Sequence, residues 1–557
     1  MFPIGIDKFS DIFSGASLFA LIAISVINGV LLFFASMKFL LVLQQSGYHG
    51  KRYFKWLLSP ETPYLSRLML LCLLGLLFFC VLNTCFSYIG DLAASYVGFA
   101  SYIIFILTYI DSEKNVNAKV PIRKTKRLVR LCITYILVLA ATTFGVLVLL
   151  NYIAFLIGDE MVGILRYCLI CVLPIISPYL LFIAYCINEP TEEIIRRHYV
   201  NIAKNKLRES DVIKIGVTGS FGKTSVKEIL KTVLSQKYRV LATPSSFNTP
   251  MGITLTAKDL DGTHDVFIAE MGARSKGDIK ELCDIIKPDI GVITGINNQH
   301  LESFGTIENI KKTKYELMEN LPENGKGFFS SDSEGARELF GICNREKYCA
   351  GVENHGNTVY ATDIVTDSKG VEFTLNIEGE EPVTCRTVLL GTNNVSNICL
   401  AAAVASKMGL TAEEIARGIN RLQSVKHRLE LVPNNKNIVI IDDSYNSNED
   451  GVRAAMETLS CFDGRKIVVT PGLVELGKME NVVNFRFGKM LAESADIVIV
   501  VGKHNAEMLI NGLTEGGILK ENILFAKNLS KGNEILNGIL KEGDVVLFEN
   551  DLPDNYN

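Results

Sequence analysis

Apolar positions along the chain follow two regimes. Up to about residue 188 they form long unbroken runs, and beyond residue 210 they come in short runs separated by polar, glycine-containing stretches. Five runs are long enough to cross a bilayer, which takes about 20 helical residues: 17–42, 68–89, 92–110, 131–157 and 167–187. The pattern predicts an α-helical membrane bundle of five spans over 1–188, its second and third spans joined by a hairpin at Gly90-Asp91. A polar helical connector follows over 189–210. Strand-like runs then alternate with helical ones: 212–218, 239–243, 265–271, 289–294 and 327–330 are strands, while 223–234 and 276–286 read as helices. Such alternation predicts an α/β central domain on a mostly parallel sheet over 211–423. A β-rich insertion is expected late in it, over 352–386. A second alternation, with strands at 438–442, 466–470, 496–501, 523–525 and 544–548, predicts a smaller Rossmann-like α/β domain over 424–557.

Charge separates the same halves. Residues 1–188 carry 14 Lys and Arg against 8 Asp and Glu, and the remainder 42 against 52, so the net charge of −4 sums two unlike parts. No basic excess of the kind that binds nucleic acid is present. Seven of the 13 cysteines lie in the apolar runs, which is not the pattern of a disulfide scaffold. Lys51, Arg52 and Lys55 fill the first predicted loop. Lys114, Lys119, Arg123, Lys124, Lys126 and Arg127 fill the third, while the intervening loops hold Asp91 and then Asp159-Glu160, with one basic residue, Arg166, at the edge of the last run. Basic loops stay on the cytoplasmic side. The expectation is a multi-pass cell-membrane (inner-membrane) protein with its N-terminus outside and everything after residue 187 in the cytoplasm. No acidic residue falls inside a predicted span, so anchoring is favoured over ion transport.

Candidate chemistry begins at Val217-Thr218-Gly219-Ser220-Phe221-Gly222-Lys223-Thr224-Ser225. A strand running into a glycine-rich turn, with a helix opening at the lysine, is a P-loop. Backbone N–H groups of Gly219, Ser220, Gly222 and the first helical turn, through Ser225, are aimed at phosphates. Lys223 neutralises their charge, and Thr224 can reach Mg²⁺. The spacing departs from G-x-x-x-x-G-K-[ST], whose first glycine would fall at Val217. Glu270 ends an apolar strand, where a carboxylate can hold the Mg²⁺ that bridges phosphates. His300 follows another strand, and Lys314 lies 14 residues beyond it. Singly, these two are ordinary.

Together these segments, in order, resemble the muramyl-peptide ligase (Mur ligase) family. The likeness continues through Ser246-Phe247-Asn248-Thr249-Pro250, Glu270-Met271-Gly272, His300-Leu301-Glu302-Ser303-Phe304-Gly305 and Lys314-Tyr315-Glu316. It runs on through Gly391-Thr392-Asn393-Asn394-Val395-Ser396-Asn397, Lys426-His427-Arg428, Asp442-Asp443-Ser444-Tyr445-Asn446 and Glu475-Leu476-Gly477. It covers about 211–550 and does not reach the apolar runs. The resemblance implies ATP-dependent amide ligation in cell-wall precursor synthesis: a muramyl-peptide carboxylate becomes an acyl phosphate, and an amine such as D-Ala-D-Ala or another D-amino-acid dipeptide displaces phosphate. It further implies two Mg²⁺ ions, one on Thr224 and Glu270, the other on His300 and a carbamylated Lys314. Asn394 and Asn397 would lie near adenine, Arg428 would reach the phosphates, and Asp443 would lie near the ribose.

Two stretches depart from the family pattern. Pro471-Gly472-Leu473-Val474 replaces the usual Gly-Asp-Met, and Glu549-Asn550-Asp551-Leu552 replaces a Lys-Gly-Ser-Arg-like turn. Both border the amine side. The family's N-terminal uridine-binding domain is expected to be missing, because the P-loop strand begins soon after the last apolar run, and the expected donor is either a soluble UDP-linked muramyl peptide or a lipid-linked precursor presented by the membrane. The alternatives are a related ligase on a polyglutamate-type substrate and, in another class, a P-loop-energised transporter or a nucleotide-sensing scaffold.

Overall fold

A computed structural model describes residues 15–58, 102–111, 122–157, 159–297, 304–352, 356–367, 370–433, 437–445, 448–474, 476 and 479–550, with isolated positions between 70 and 100. It divides into two compact units, Met1–Arg196 and Arg197–Asn557.

The first unit is helical: Gly15–Ala35, Met37–Gln45, Gly50–Leu57, Tyr102–Asp111, Lys126–Ile157 and the start of Asp159–Glu209. Among the described residues, three helices contain segments long and apolar enough to cross a membrane: Leu18–Ala35, Lys126–Ile153 and Val172–Glu209. The run at 68–89 lies almost entirely outside the described residues, as does the first part of 92–110. The first predicted span is not one helix, because it breaks at Ser36. The Ser36 hydroxyl lies 2.8 Å from Leu32 O and 3.0 Å from Ser177 Oγ, either of which can take its one proton, and accepts from Tyr135 Oη (2.8 Å). The last predicted span, in turn, does not stop at 187. Its helix runs unbroken through Pro174, Pro178 and Pro190 to Glu209.

In the second unit, that helix's final turns bury Ala203 and Leu207 against Ile253, Phe267 and Leu282. Residues 197–209, helical as the connector reading expects, thus also contribute to this core. Among the described residues fifteen strands follow: β1 Ile213–Thr218, β2 Val240–Ala242, β3 Val266–Glu270, β4 Ile290–Ile293, β5 Lys326–Ser330, β6 Glu346–Gly351, β7 Val359–Asp367, β8 Gly370–Ile377, β9 Val383–Thr387, β10 Glu430–Leu431, β11 Val439–Asp443, β12 Lys466–Thr470, β13 Ile497–Val501, β14 Ile523–Ala526 and β15 Val545–Glu549. The first nine form one sheet in the order β2-β3-β1-β4-β5-β6-β7-β8-β9, parallel as far as β7. The antiparallel β7–β9 segment extends this sheet, so the stretch expected as an insertion is its edge. Strands covered on both faces read as continuous apolar runs, and all five residues of β3 are buried. The helix Lys223–Leu234 buries Val226, Ile229, Leu230, Val233 and Leu234 against this sheet, a stripe at helical spacing.

The last six strands form a second sheet, β10-β11-β15-β12-β13-β14, parallel from β11 onward. Ligands of open α/β sheets sit beyond the carboxyl ends of the strands. Two such edges therefore frame the candidate site.

Candidate active site

β1 ends at Thr218, and the loop 219–222 delivers the chain into the helix starting at Lys223. The loop is packed too closely for side chains at two positions. A Cβ on Gly219 would fall 2.0 Å from Thr294 Oγ1, and one on Gly222, whose φ is +77°, would fall 2.9 Å from Asn397 Oδ1. Ser220 N donates to Gly295 O at 2.6 Å, and the Thr294 hydroxyl donates to Phe221 O. The Lys223 ammonium donates to Gly219 O and Ser220 O, both at 2.8 Å. Burial draws its pKa down to about 8; the Glu270 carboxylate opposes this and the Arg428 guanidinium adds to it. Thr224 and Ser225 are buried in the first helical turn.

Register places Glu270 opposite Val217, at the mouth of the loop. Its Oε2 accepts from Thr224 Oγ1 at 2.9 Å and its Oε1 from Asn248 Nδ2 at 3.0 Å. Asn248 comes from the turn before the helix Pro250–Ala257, whose N-cap Thr249 accepts from Gly252 N. Lys227 completes the cluster: it is fully buried, 3.5 Å from Glu270 Oε2, and donates to Ser245 O. The sequence reading passed over Lys227. Its signal was a second lysine four residues after Lys223, on the same helix face.

Lys314 is buried on the helix Ile307–Glu319, its ammonium 6.0 Å from the Phe304 ring centre. Burial, then the charge of Lys223, draws its pKa down to about 7, against the pull of Asp278 and Glu316. The Glu316 carboxylate is committed elsewhere, accepting from Gly277 N (2.8 Å) and Lys280 N (3.0 Å). His300 lies outside the described residues. Among the described residues, no three His, Cys, Asp or Glu side chains gather as a metal site. Hard oxygens are nonetheless what Mg²⁺ takes, with phosphate and water completing its shell. The Thr224–Glu270 pair beside a phosphate loop fits that donor chemistry.

Asn397 sits against Gly222, while Asn394, one turn earlier on the helix Thr392–Lys407, donates to Leu390 O at 2.8 Å. From the second sheet come Arg428 and Asp443. The Arg428 guanidinium lies 4.7 Å from the Tyr445 ring centre, and Tyr445 Oη is 2.8 Å from Ser246 Oγ. Asp443 Oδ1 accepts from Leu429 N at 3.2 Å. Its pKa is raised to about 6 by burial, against the pull of Arg428. Asn297 links the two sheets' loops: its Nδ2 donates to Asn448 Oδ1 and Asp450 Oδ2, both at 3.0 Å. Asn297, too, had been passed over.

A phosphate loop, a facing carboxylate and lysines converging at the carboxyl edge of a parallel sheet define a P-loop nucleotide enzyme. Residues 217–405 match the Mur ligase middle domain, and residues 427–549 the Mur ligase glutamate ligase domain. The UDP-N-acetylmuramoyl-tripeptide–D-alanyl-D-alanine ligase of Bacillus subtilis is 29% identical over 354 residues, 62% of this chain and 75% of that protein. Its namesake from Escherichia coli is 31% identical over 296 residues, 52% of this chain and 65% of that protein. Among solved structures, the MurF ligase of Thermotoga maritima in complex with ADP has a TM-score of 0.57 at 27% identity, over 64% of this chain and 80% of that one. The two matched stretches together make up more than half of the chain, which belongs to the Mur ligase family. Its class is that of the ATP-dependent, amide-forming ligases, which use ATP and Mg²⁺.

Proposed function

We propose that this protein is a membrane-anchored ligase that joins the carboxylate of a muramyl tripeptide to D-Ala-D-Ala at the expense of ATP. One observation carries the reading: Lys223, the Thr224–Glu270 pair and the buried Lys314 share one sheet edge, with Arg428 close enough to act on Lys223. The substrates come from the names of the relatives. A carboxylate oxygen attacks the γ-phosphorus, the bond to ADP breaks, and an acyl phosphate results. The amine nitrogen then attacks the acyl carbon, phosphate departs with the C–O electron pair, and the nitrogen loses a proton.

In this reading Lys223 and Arg428 neutralise charge spread over the transferred phosphoryl group. Thr224 and Glu270 hold one Mg²⁺, and His300 and Lys314 a second. Bound there, the two ions supply electrostatic stabilisation of the phosphoryl oxygens. Lys314, with its pKa drawn to about 7, presents a neutral amine that adds to CO₂ and loses a proton. The carbamate oxygen so formed is the anionic ligand a hard cation requires. Asn394 and Asn397 border the adenine, and Asp443 the ribose. The membrane part, five spans with the N-terminus outside and the ligase domains cytoplasmic, draws support from the three apolar helices and the basic loops. It allows a lipid-linked donor, since confinement to a surface raises effective concentration.

ATP turnover by the full-length protein tests the ligase. ADP release is expected only when muramyl tripeptide and D-Ala-D-Ala are both present, and release with neither would sink the reading. Comparing kcat/KM for UDP-linked and lipid-linked forms of one peptide, with the protein in bilayers, decides the donor. Reporters placed after Gly50, Gly90, Val120 and Gly158 should read in, out, in, out.

A further inference from the structure

Lys227 has no part in the ligation chemistry above, yet it is fully buried beside the carboxylate that the metal reading needs. Lysine is almost never fully buried unless paired. Its ammonium lies 3.5 Å from Glu270 Oε2 and 3.2 Å from Glu228 Oε1. It also holds Ser245 O, at a residue whose φ of +46° lies in the left-handed region, three positions before Asn248. One side chain therefore ties together the phosphate-loop helix, the 245–248 turn and the end of β3.

We infer that Lys227 is a positioning residue that closes the Thr224–Glu270 site to free divalent cations and admits a metal only together with the nucleotide's phosphates. Two observations converge on it. Glu270 Oε2, the oxygen shared with Thr224 Oγ1, already faces a fixed positive charge. The described donor set is also too small to hold a hard dication alone, because Mg²⁺ takes six oxygens and no carboxylate trio is present. A dication approaching that oxygen meets repulsion from the ammonium, which falls off only as the inverse of distance. Phosphate oxygens bring both the missing ligands and the negative charge that reverses the balance. The inference rests on Thr224 and Glu270 being metal ligands.

Mn²⁺, followed by electron paramagnetic resonance on the full-length protein in detergent micelles, is the probe. Without ADP the wild-type protein should leave Mn²⁺ free in solution, and with saturating ADP it should hold the ion. Lys227→Met, neutral and of similar length, should bind Mn²⁺ without ADP at least about tenfold more tightly than wild type. Lys227→Arg should behave as wild type, and adding Glu270→Gln to Lys227→Met should remove the gain. A wild-type protein that holds Mn²⁺ equally with and without ADP overturns the inference while leaving the metal site in place. Lys227→Gln takes the place of Lys227→Met if the latter does not fold, with the same expected gain. A folded Lys227→Met with no gain overturns the inference as well. Absence of bound Mn²⁺ even with ADP overturns the metal site and the inference together.

Discussion

The carboxyl edges of the two sheets solve different problems. At the nine-stranded sheet, glycines take the tight positions and cations crowd one carboxylate: Lys223 and Lys227 approach Glu270, and Lys314 lies near enough to feel Lys223. At the six-stranded sheet, three non-glycine residues occupy the left-handed region, His427 (φ 61°), Leu429 (φ 48°) and Asn550 (φ 64°), as Ser245 does at the first edge, and Gly472 and Gly502 take positive φ beside them. Such backbone costs about 1–2 kcal/mol per residue. Two of the three flank Arg428, whose guanidinium lies over the Tyr445 ring. The edge also opens onto a cavity of about 230 Å³, lined by Val469, Pro471, Val501, Leu529 and Phe548 with Asp442, Ser444 and Asn550. One edge is built to hold a polyanion; the other delivers a single guanidinium and keeps a largely apolar hollow beside it.

The largest effects should come from the cation-rich edge. Lys223→Ala removes a preorganised charge from the phosphate loop, and kcat should fall about 10²–10³-fold. Lys314→Ala should lose as much, with partial recovery in added small carboxylates; full activity without them would refute the carbamate.

Stability sharpens the contrast. Lys314→Met should lose ligation and yet resist urea better at pH 7, by about 1–4 kcal/mol, since an ammonium held at a penalty is gone. The two edges should also answer pH with opposite sign. The Lys314 pKa, about 7 in the fold, lies below its ordinary 10.5. The unfolded chain therefore holds the extra proton, and stability from this group is lost as pH falls from 10.5 through 7. The Asp443 pKa, about 6, lies above its ordinary 3.8, so its contribution is full below 3.8 and lost as pH rises through 6. Urea titrations across pH should find the alkaline limb flattened in Lys314→Met and the acid limb flattened in Asp443→Asn. Limbs unchanged in both variants would dissolve the comparison.

The smallest effect belongs to the contact between the edges. Tyr445→Phe keeps the ring beside Arg428 and loses only the bond to Ser246, about 0.5–1.5 kcal/mol, so kcat/KM for ATP should drop less than about tenfold. Tyr445→Ala, which frees the guanidinium, should drop it further.

What could be read from the chain was whatever local pattern decides. The apolar run ending in Glu270 and the stripe from Val226 to Leu234 settle a strand and a helix without distant help. β6, with Glu346, Lys347 and Tyr348 half-buried or exposed, has no such pattern and was missed. The break at Ser36 was illegible because its hydroxyl partner Ser177 lies 141 residues away, in a run that is apolar on both sides. Asn297 meets Asn448 and Asp450 across 151 and 153 residues, and nothing near Asn297 announces it. Within the site, the loop lysine and the strand-end carboxylate were visible as chemistry. The buried counter-charge was not, since a lysine on a helix ordinarily reads as a solvated one.

β15 lies between β11 and β12 although it is the last of the six strands to be made. Until residues 545–549 have been translated, β11 and β12 have no common neighbour to join them, and the sheet that positions Arg428 and Asp443 stays in two pieces. The nine-stranded sheet, by contrast, has all its strands by residue 387. During synthesis the phosphate loop can therefore take shape well before its guanidinium is set. A nascent chain halted before 545 is expected to retain the first sheet while lacking the second, so ligation would begin only when the final strand slots into place.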